Sequence, residues 1–368
     1  MGSGLRRAVG LMSGTSLDGI NAALIETDGR DQVKPLAFHS VGYADDERAM
    51  LRTAVDAALA MAAPGPHPAI EAASRMLTDA HIAAVRTLLG EAGGGPVDLV
   101  GFHGQTIAHR PDRGWTWQIG DGAAMARALG LTVVDDFRSA DVAAGGQGAP
   151  FVPIYHQALT AGLTRPTAVL NLGGVANLTW IAADGGLSAF DCGPANGLID
   201  EWVRLAGLGN FDEDGRLAAA GSVVPEVLAR LMDKPFFDLP PPKSLDRHDF
   251  TIDPARGLSD ADGAATLTAF TAEAVARGLR LLPGVPAELV VAGGGRHNPV
   301  LMAAIGRATG LEPVPADAMG WNGDATEAEA FAYLAVRALD GLPLSFPGTT
   351  GVPYPTTGGR IHLARRAA

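Results

Sequence analysis

Two glycine-containing turns, each set between apolar runs and about 160 residues apart, constrain the fold of this chain more than any other feature. The first lies in residues 9–19 (VGLMSGTSLDG) and the second in residues 169–177 (VLNLGGVAN). A second apolar run follows each turn, so the pattern predicts two β-hairpins. Glycine lets a backbone approach a ligand closely or adopt positive φ, and successive backbone N–H groups form a concavity that suits phosphate oxygens. Because the pattern occurs in both halves of the chain, it predicts two related lobes with a phosphate held between them.

Length and composition narrow the class of protein. A chain of 368 residues is too long for one ordinary core, which favours two domains. The formal net charge of −12 argues against a nucleic-acid partner, whereas a small anionic ligand can still bind through local amides and cations. The single cysteine, Cys192, excludes an internal disulfide and fits a reducing compartment. Apolar runs are too short for a membrane span or a secretory signal, so we expect a cytoplasmic protein.

Strand-like and helix-like segments alternate along the chain, which indicates an α/β architecture. Beyond the hairpins, the predicted strands are 37–43, 97–102, 131–137, 187–190 and 289–291. The predicted helices are 46–61, 69–89, 122–129, 196–205, 224–232, 264–282, 299–308 and 325–339. The proline-rich stretch 239–243 is interpreted as a surface loop.

A third glycine site, residues 293–295, lies between a predicted strand and a predicted helix. Backbone amides and a helix N-terminus at the carboxyl end of a strand favour a nucleotide. The site matches neither a Walker motif nor a dinucleotide-binding motif. A simple tight turn explains it equally well on its own. Together with the two hairpins, it indicates the third part of a nucleotide site.

Two aspartates are candidates for the chemistry. Asp191 ends a short apolar strand, from which its carboxylate could take a proton from an attacking oxygen. The alternative is an N-cap for the helix that begins near Asn196, although Asn196 is better placed to be that cap. Asp18 lies in the first hairpin turn, where it could hold Mg²⁺ through water. A turn-forming aspartate is nearly as good an explanation of Asp18.

Other titratable residues allow competing interpretations. His103 and His109, with Asp121, Asp135 and Asp136, suggest a metallohydrolase, but no metal-binding motif joins them. A hydrogen-bonding role for a histidine on what is predicted to be a turn after a strand is favoured instead. Neighbouring residues of a strand point to opposite faces, so Cys192 is predicted to be a small buried apolar residue rather than a nucleophile. Glu327 begins a helix, where it could serve the helix dipole or contact a ligand.

Residues 10–19 (GLMSGTSLDG) resemble the signature of the anhydro-N-acetylmuramic acid kinase family. Further matches are 103–106 (HGQT), 118–121 (QIGD), 136–138 (DFR), 145–150 (GGQGAP), 171–177 (NLGGVAN), 191–194 (DCGP), 293–295 (GGG), 298–299 (NP), 323–324 (GD) and 327–328 (EA). The resemblance implies the two-lobed actin-like ATPase (ribonuclease H-like) fold with a nucleotide cleft between the lobes. It also implies ATP-dependent opening of the 1,6-anhydro ring of an amino sugar, with phosphorylation at O6, in bacterial cell-wall recycling. A kinase of another amino sugar, or an ATPase without sugar transfer, remains the alternative.

The resemblance also implies an assignment of lobes and site residues. Lobe I is expected to comprise residues 1–150 with the tail 341–368, and lobe II residues 151–340. Asp191 matches the catalytic aspartate, and Asp18 is the expected water-mediated ligand of Mg²⁺. ATP is expected to contact Gly14, Thr15, Ser16, Leu17, Asp18, Gly19, Ile20, Asn21, Gly173, Gly174, Asn177, Gly293, Gly294, Gly295 and Asn298. The sugar is expected to contact Glu327, His103, Gln105 and Asp121.

The chain departs from the family pattern at Asn21, Cys192 and Ala195. Ala195 is expected to be strained if its turn position needs positive φ. The expected partner is a small anhydro amino sugar, without nucleic acid or membrane, and a homodimer is left open.

Overall fold

The computed structural model describes residues 4–245 and 249–364, and its strands and helices alternate along the chain, which confirms the α/β class. It divides into two compact units. The first runs to Ala161 and includes the residues from Ala325 onward, and the second is Gly162–Asp324. Within the described ranges, no helix is long and apolar enough to cross a membrane.

The first unit is built on a mixed sheet with the strand order β12-β6-β4-β1-β2-β3, and β5 pairs with β4. Its strands are β1 (Arg6–Ser13), β2 (Gly19–Thr27), β3 (Val33–Gly42), β4 (Leu99–Arg110), β5 (Trp115–Ile119), β6 (Thr132–Asp135) and β12 (Arg360–His362). Its helices are α1 (Asp45–Leu59), α2 (Pro68–Glu91), α3 (Gly122–Leu129), α4 (Ser139–Ala143), α5 (Pro153–Leu159), α11 (Thr326–Leu339) and α12 (Pro347–Thr350).

The second unit has a smaller sheet with the order β11-β10-β7-β8-β9. Its strands are β7 (Thr167–Leu172), β8 (Val175–Ile181), β9 (Leu187–Pro194), β10 (Glu288–Ala292) and β11 (Pro313–Pro315). Its helices are α6 (Asn196–Leu205), α7 (Arg216–Ala220), α8 (Pro225–Met232), α9 (Asp260–Arg280) and α10 (Pro299–Thr309). Phe237, Phe250 and Phe270 are buried together in the helical part of its core.

Both predicted hairpins are present, and each unit repeats the same local topology. In the first unit β1 and β2 are antiparallel, β3 continues the meander, and β1 pairs in parallel with β4. In the second unit β7 and β8 are antiparallel, β9 continues the meander, and β7 pairs in parallel with β10. The shared pattern confirms two related sheets, each with a polar turn after its first strand.

Helix α11 belongs to the first unit, whereas the sequence-based division assigned residues 325–340 to lobe II. The helix packs across β1, β2 and β4, which is why it joins their unit. Two glycines allow the close approach. A Cβ on Gly10 would overlap the carbonyl oxygen of Ala328, and one on Gly101 would overlap that of Phe331. Gly10 therefore serves helix packing, although it stands in the signature motif.

We expect Gly10→Ala to lower the free energy of unfolding by about 2 kcal/mol or more, because backbone atoms on both sides must move apart. Gly90→Ala is the matched control in the same unit, since no atom lies within 4 Å of the added Cβ. Urea unfolding followed by circular dichroism measures both. Equal stability of Gly10→Ala and the wild type would contradict this account of α11 packing.

Candidate active site

The turn between β1 and β2 is held from beneath by buried side chains. Gln105 donates from Nε2 to the carbonyl of Gly14 at 3.1 Å and accepts from the Ser13 hydroxyl at 2.6 Å. The Ser13 hydroxyl also bonds to the Tyr43 hydroxyl at 2.8 Å. Gln105 is fully buried and supports the turn, and its contact with the sugar stays a prediction. The turn is thereby fixed with its outer side free for a ligand.

The outer side of this turn carries the exposed side chains of Thr15, Ser16 and Asp18. Positive φ occurs at Leu17, at 59°, and at neither Gly14 nor Gly19. A Cβ on Gly14 would come no closer than 3.6 Å to another residue, whereas one on Gly19 would overlap the Val41 carbonyl. Gly14 therefore leaves open space, and Gly19 is required by strand packing.

Two further residues predicted to contact ATP lie within β2 rather than in the turn. Ile20 is buried, so its side chain belongs to the core. Asn21 accepts a hydrogen bond from the Ser40 hydroxyl through Oδ1 at 2.7 Å. Their contact with nucleotide stays a prediction.

The turn between β7 and β8 is fastened to the start of α6. The carbonyl of Gly174 accepts from the N–H groups of Ala195 and Gly197, and that of Gly173 accepts from Asn196. These bonds satisfy backbone donors that a helix N-terminus otherwise leaves without partners. No atom lies within 4 Å of a Cβ built on Gly174, so the turn presents open space there.

Asn196 is not the helix cap that we predicted. It is the first helical residue, and its Nδ2 donates to the Leu172 carbonyl at 2.9 Å. The preceding Ala195 has φ of −124° and makes no side-chain cap. Because this φ is negative, the strain expected for an alanine at a positive-φ position does not arise.

A row of polar side chains crosses the end of the second sheet. Asn171 on β7 is opposite Asn177 on β8, and Asn177 is opposite Asp191 on β9. Directly opposite residues of paired strands share a face of the sheet, so all three side chains lie on one face. Asn171 begins the matching motif 171–177, which the resemblance implies is the second phosphate loop. The row places the predicted base beside two amides.

A β-bulge at Cys192 sets this alignment. Ala176 pairs with Gly193 and Asn177 with Asp191, which leaves Cys192 as the extra residue. Cys192 is buried in the core of the second unit, which confirms the prediction of a small buried apolar residue. Bulges of this kind re-aim side chains next to functional sites.

Asp191 is half-buried, and its environment favours a proton acceptor. Burial raises the pKa of its carboxyl to about 6, against the opposing effects of a hydrogen bond from the Leu245 N–H and the charge of Lys243. The Leu245 N–H donates to Oδ2 at 2.8 Å. The carboxylate does not cap α6, and β9 continues through Pro194. A base with a pKa just below neutral is ionised at pH 7 yet retains proton affinity.

The third glycine site is a strand–turn–helix element, as predicted. Gly293 has φ of 77°, and a Cβ there would lie 2.6 Å from the side-chain oxygen of Asn171. The turn therefore adjoins the polar row. Asn298 uses its Oδ1 to cap α10 through the N–H groups of residues 300 and 301.

Arg296, which the sequence reading missed, holds this glycine turn in place. It donates to the Gly293 carbonyl at 2.9 Å and to Asp317 at 2.6 Å. Its guanidinium is buried, so these bonds are protected from solvent.

In the first unit, His103 supports a buried arginine. Its Nε2 accepts from Arg138 Nε at 2.9 Å while Nδ1 bonds to the Gly104 carbonyl, so the proton resides on Nδ1. Burial and the Arg138 charge lower the pKa of His103, which keeps the ring neutral. Residues 103–110 are part of β4, so the predicted turn at His103 is wrong, while its hydrogen-bonding role is observed.

Arg138 in turn acts on Glu327. Its Nη1 donates to the Gly148 carbonyl at 2.6 Å. Glu327 lies at the start of α11, where desolvation by surrounding protein raises the pKa of its carboxyl and the Arg138 charge opposes that rise. Arg138 was present in a matching motif, but only the structure shows that it donates to His103 and that its charge acts on the Glu327 carboxyl.

Of the remaining candidates, Asp135 and Asp136 line one cavity together with His103. Asp121 caps α3 by accepting from the Ala124 N–H at 2.8 Å, and it lines a cavity of about 450 Å³ with Trp117 and Gln118. Asp135 pairs with Arg360 at 3.0 Å. Over residues 4–245 and 249–364, no three histidine, cysteine, aspartate or glutamate side chains are grouped to hold a metal ion. The metallohydrolase interpretation therefore finds no support in the geometry.

The model of the anhydro-N-acetylmuramic acid kinase family matches residues 6–364. A relative named anhydro-N-acetylmuramic acid kinase from Rhizorhabdus wittichii is 66% identical over 358 residues, covering 96% of this chain and 98% of the relative. A relative with the same name from Zymomonas mobilis is 55% identical over 361 residues, covering 96% of this chain and 99% of the relative.

Solved structures with similar arrangements are more remote. An activator of 2-hydroxyisocaproyl-CoA dehydratase from Clostridium difficile, with bound ADPNP, is 14% identical at a TM-score of 0.44, covering 91% of this chain and 96% of its own. A ROK family glucokinase from Streptomyces griseus, in complex with glucose and AMPPNP, is 17% identical at a TM-score of 0.42, covering 90% and 99%.

Proposed function

This chain belongs to the anhydro-N-acetylmuramic acid kinase family and is a sugar kinase of peptidoglycan recycling, and we propose how its residues carry out the reaction. The substrate is 1,6-anhydro-N-acetylmuramic acid, and the product is N-acetylmuramic acid 6-phosphate. The observation that carries the proposal is the half-buried Asp191 carboxylate, which lies in the polar row beside the glycine turn of β7 and β8. ATP as phosphoryl donor and the reduced Cys192 fit a cytoplasmic reaction.

The substrate dictates a hydrolytic step. Its O6 is part of the anhydro bridge, so no O6 hydroxyl exists for simple phosphoryl transfer. Asp191 accepts a proton from water as that water attacks the anomeric carbon, and the bond from this carbon to the bridge oxygen breaks. The freed O6 takes the γ-phosphoryl group of ATP, so a separate acid for the leaving oxygen is unnecessary. Attack opposite the bridge inverts the anomeric carbon, as in inverting glycosidases.

The glycine turns are the proposed phosphate sites. Gly14 and Gly174 both leave space that a side chain would fill, which suits close approach of phosphate oxygens. We assign the adenosine side to the turn Gly293–Gly295, next to Asn171. The exposed oxygens of Thr15, Ser16 and Asp18 fit the donor preference of Mg²⁺. When bound there, Mg²⁺ would neutralise charge on the nucleotide phosphates.

The sugar is assigned to Glu327, backed by Arg138. A carboxylate accepts hydrogen bonds from hydroxyl and amide groups of a sugar, and the neighbouring guanidinium favours its charged form. His103 and Gln105 act behind these groups, through Arg138 and the first turn respectively. Direct contact of Asp121 with the sugar stays a prediction.

The assay that separates this function from its alternatives offers ATP with a panel of anhydro and free amino sugars. When the anhydro sugar is offered, we expect ADP and sugar phosphate to form together. Phosphorylation of a free amino sugar instead would favour another kinase of this fold. ADP formation without any sugar phosphate would favour an ATPase without transfer.

Gly174→Val is expected to weaken ATP binding at least tenfold while the protein stays folded, because the added side chain fills the proposed phosphate space. Gly162→Val is the matched control, since its position in the same unit is equally open. Calorimetric titration with ATP and circular dichroism check the two effects. Unchanged affinity of folded Gly174→Val and Gly14→Val would remove both turns from the nucleotide site.

Asp191→Asn is expected to reduce kcat by about 10² to 10⁴, because the amide keeps the shape but cannot accept the proton. Asp184→Asn, in the turn at the other end of the same sheet, should stay near wild type. In ¹⁸O-water the label should enter the anomeric hydroxyl and not the phosphate. If Asp191→Asn keeps nearly full activity, the base is another residue. If the label enters the phosphate, the proposed attack of water on the anomeric carbon before phosphoryl transfer is wrong.

The pKa of Asp191 predicts the acid side of the pH profile. Since the base must be ionised, kcat/KM should fall about tenfold per pH unit below about pH 6 and level off above it. Asp200 on α6 also has a pKa raised to about 6 by burial, so the profile of Asp200→Asn is the control. If Asp200→Asn keeps the fall of kcat/KM below about pH 6 (the acid limb), that fall is due to Asp191. If the acid limb is lost in Asp200→Asn, it is due to Asp200.

A further inference from the structure

Residues 243–245, at the end of the proline-rich stretch, lie beside β9 and form two hydrogen bonds with Asp191. The backbone N–H of Asp191 donates to the Lys243 carbonyl at 2.9 Å. The backbone N–H of Leu245 donates to Asp191 Oδ2 at 2.8 Å. Residues 239–243 form a loop, as predicted, and residues 243–245 lie beside the proposed base without forming a strand.

This segment is anchored to the core of the second unit. The Lys243 ammonium donates to the carbonyls of Phe236 at 2.8 Å and Phe237 at 3.3 Å, and lies 4.5 Å from the Phe236 ring centroid. The Leu245 side chain packs against the aromatic cluster that contains Phe250. With both ends held, the Leu245 N–H has a fixed position relative to β9.

The two oxygens of Asp191 are therefore not equivalent. Oδ2 accepts the Leu245 N–H, whereas Oδ1 makes no hydrogen bond to any residue that the structure describes. A carboxylate held at one oxygen cannot rotate freely about its side-chain bond, so its second oxygen keeps one direction. Lys243 does not replace this bond, because its ammonium is directed to the two carbonyls.

We propose that Leu245 is a positioning residue whose backbone N–H fixes Oδ2 of Asp191 and leaves Oδ1 to accept the proton from water. This inference rests on the proposed function, in which Asp191 is the base. Among the residues that the structure describes, the charged or titratable groups that act on Asp191 from the surrounding elements are Lys243 on the segment and Cys192 on β9. The hydrogen bond favours the ionised carboxylate, so its removal should make the base harder to ionise.

The decisive variant carries the α-hydroxy acid analogue of leucine at position 245, which keeps the side chain but replaces the N–H by oxygen. We expect the acid limb of kcat/KM to move to higher pH by about one pH unit. At the optimum, kcat should fall by about tenfold or more because Oδ1 loses its fixed direction. The KM for ATP should not change. Leu245→Met, which keeps the N–H and an apolar side chain of similar volume, is the matched control and should retain the wild-type pH profile.

The outcomes separate this inference from the proposed function. An unchanged limb and kcat in the α-hydroxy variant, with Asp191→Asn inactive, would overturn the role of Leu245 and leave the base in place. A fully active Asp191→Asn would overturn the base itself. If Leu245→Met, which keeps both the N–H and the packing, shifts the acid side of the profile as far as the α-hydroxy variant does, the N–H does not set the pKa and the inference is wrong. Thermal unfolding of each variant verifies that the compared proteins are folded.

Discussion

The register between β8 and β9 is the constraint on which the proposed active site depends. Successive residues of a strand face opposite sides, so a shift by one residue would place Asp191 in the core and Cys192 on the polar face. The bulge at Cys192 prevents that outcome by adding one residue opposite the Ala176–Asn177 step. Asp191 then joins Asn177 and Asn171 in one row, while the thiol packs against α9 near Gly278. A single extra residue thus decides which side chain is available for chemistry.

Burial sets the protonation states in both units, but with opposite consequences. At Asp191, desolvation raises the pKa, and the Leu245 N–H and Lys243 limit that rise to about 6, so the group remains a usable base. At His103, desolvation and Arg138 lower the pKa, so the neutral ring can accept a hydrogen bond from the guanidinium. The first arrangement preserves proton exchange, whereas the second suppresses it. Only Asp191 suits acid–base catalysis, so the role that fits His103 is to hold Arg138 in place.

Local signals allowed much of the fold to be predicted. Helices 122–129 and 196–205 agree with the structure at both ends, and both hairpins form where glycine turns interrupt apolar runs. The errors arise where distant residues decide. The motif at His103 continues as a strand because β5 pairs beyond it, and α11 joins the first unit through close approach to Gly10 and Gly101. Leu245 acts on Asp191 through a backbone N–H, which no side-chain pattern can reveal.

The glycines of the matching motifs further show why a signature cannot be interpreted as one function. Gly10 and Gly19 are surrounded by backbone atoms that a Cβ would overlap, so their substitution would damage the fold. Gly14 and Gly174 face open space at turns, where a Cβ would cost the fold little. Since neither of these two has positive φ, backbone conformation does not explain why they are glycine. Space for a ligand is the physical reason left, and it is the property that a phosphate-binding turn requires.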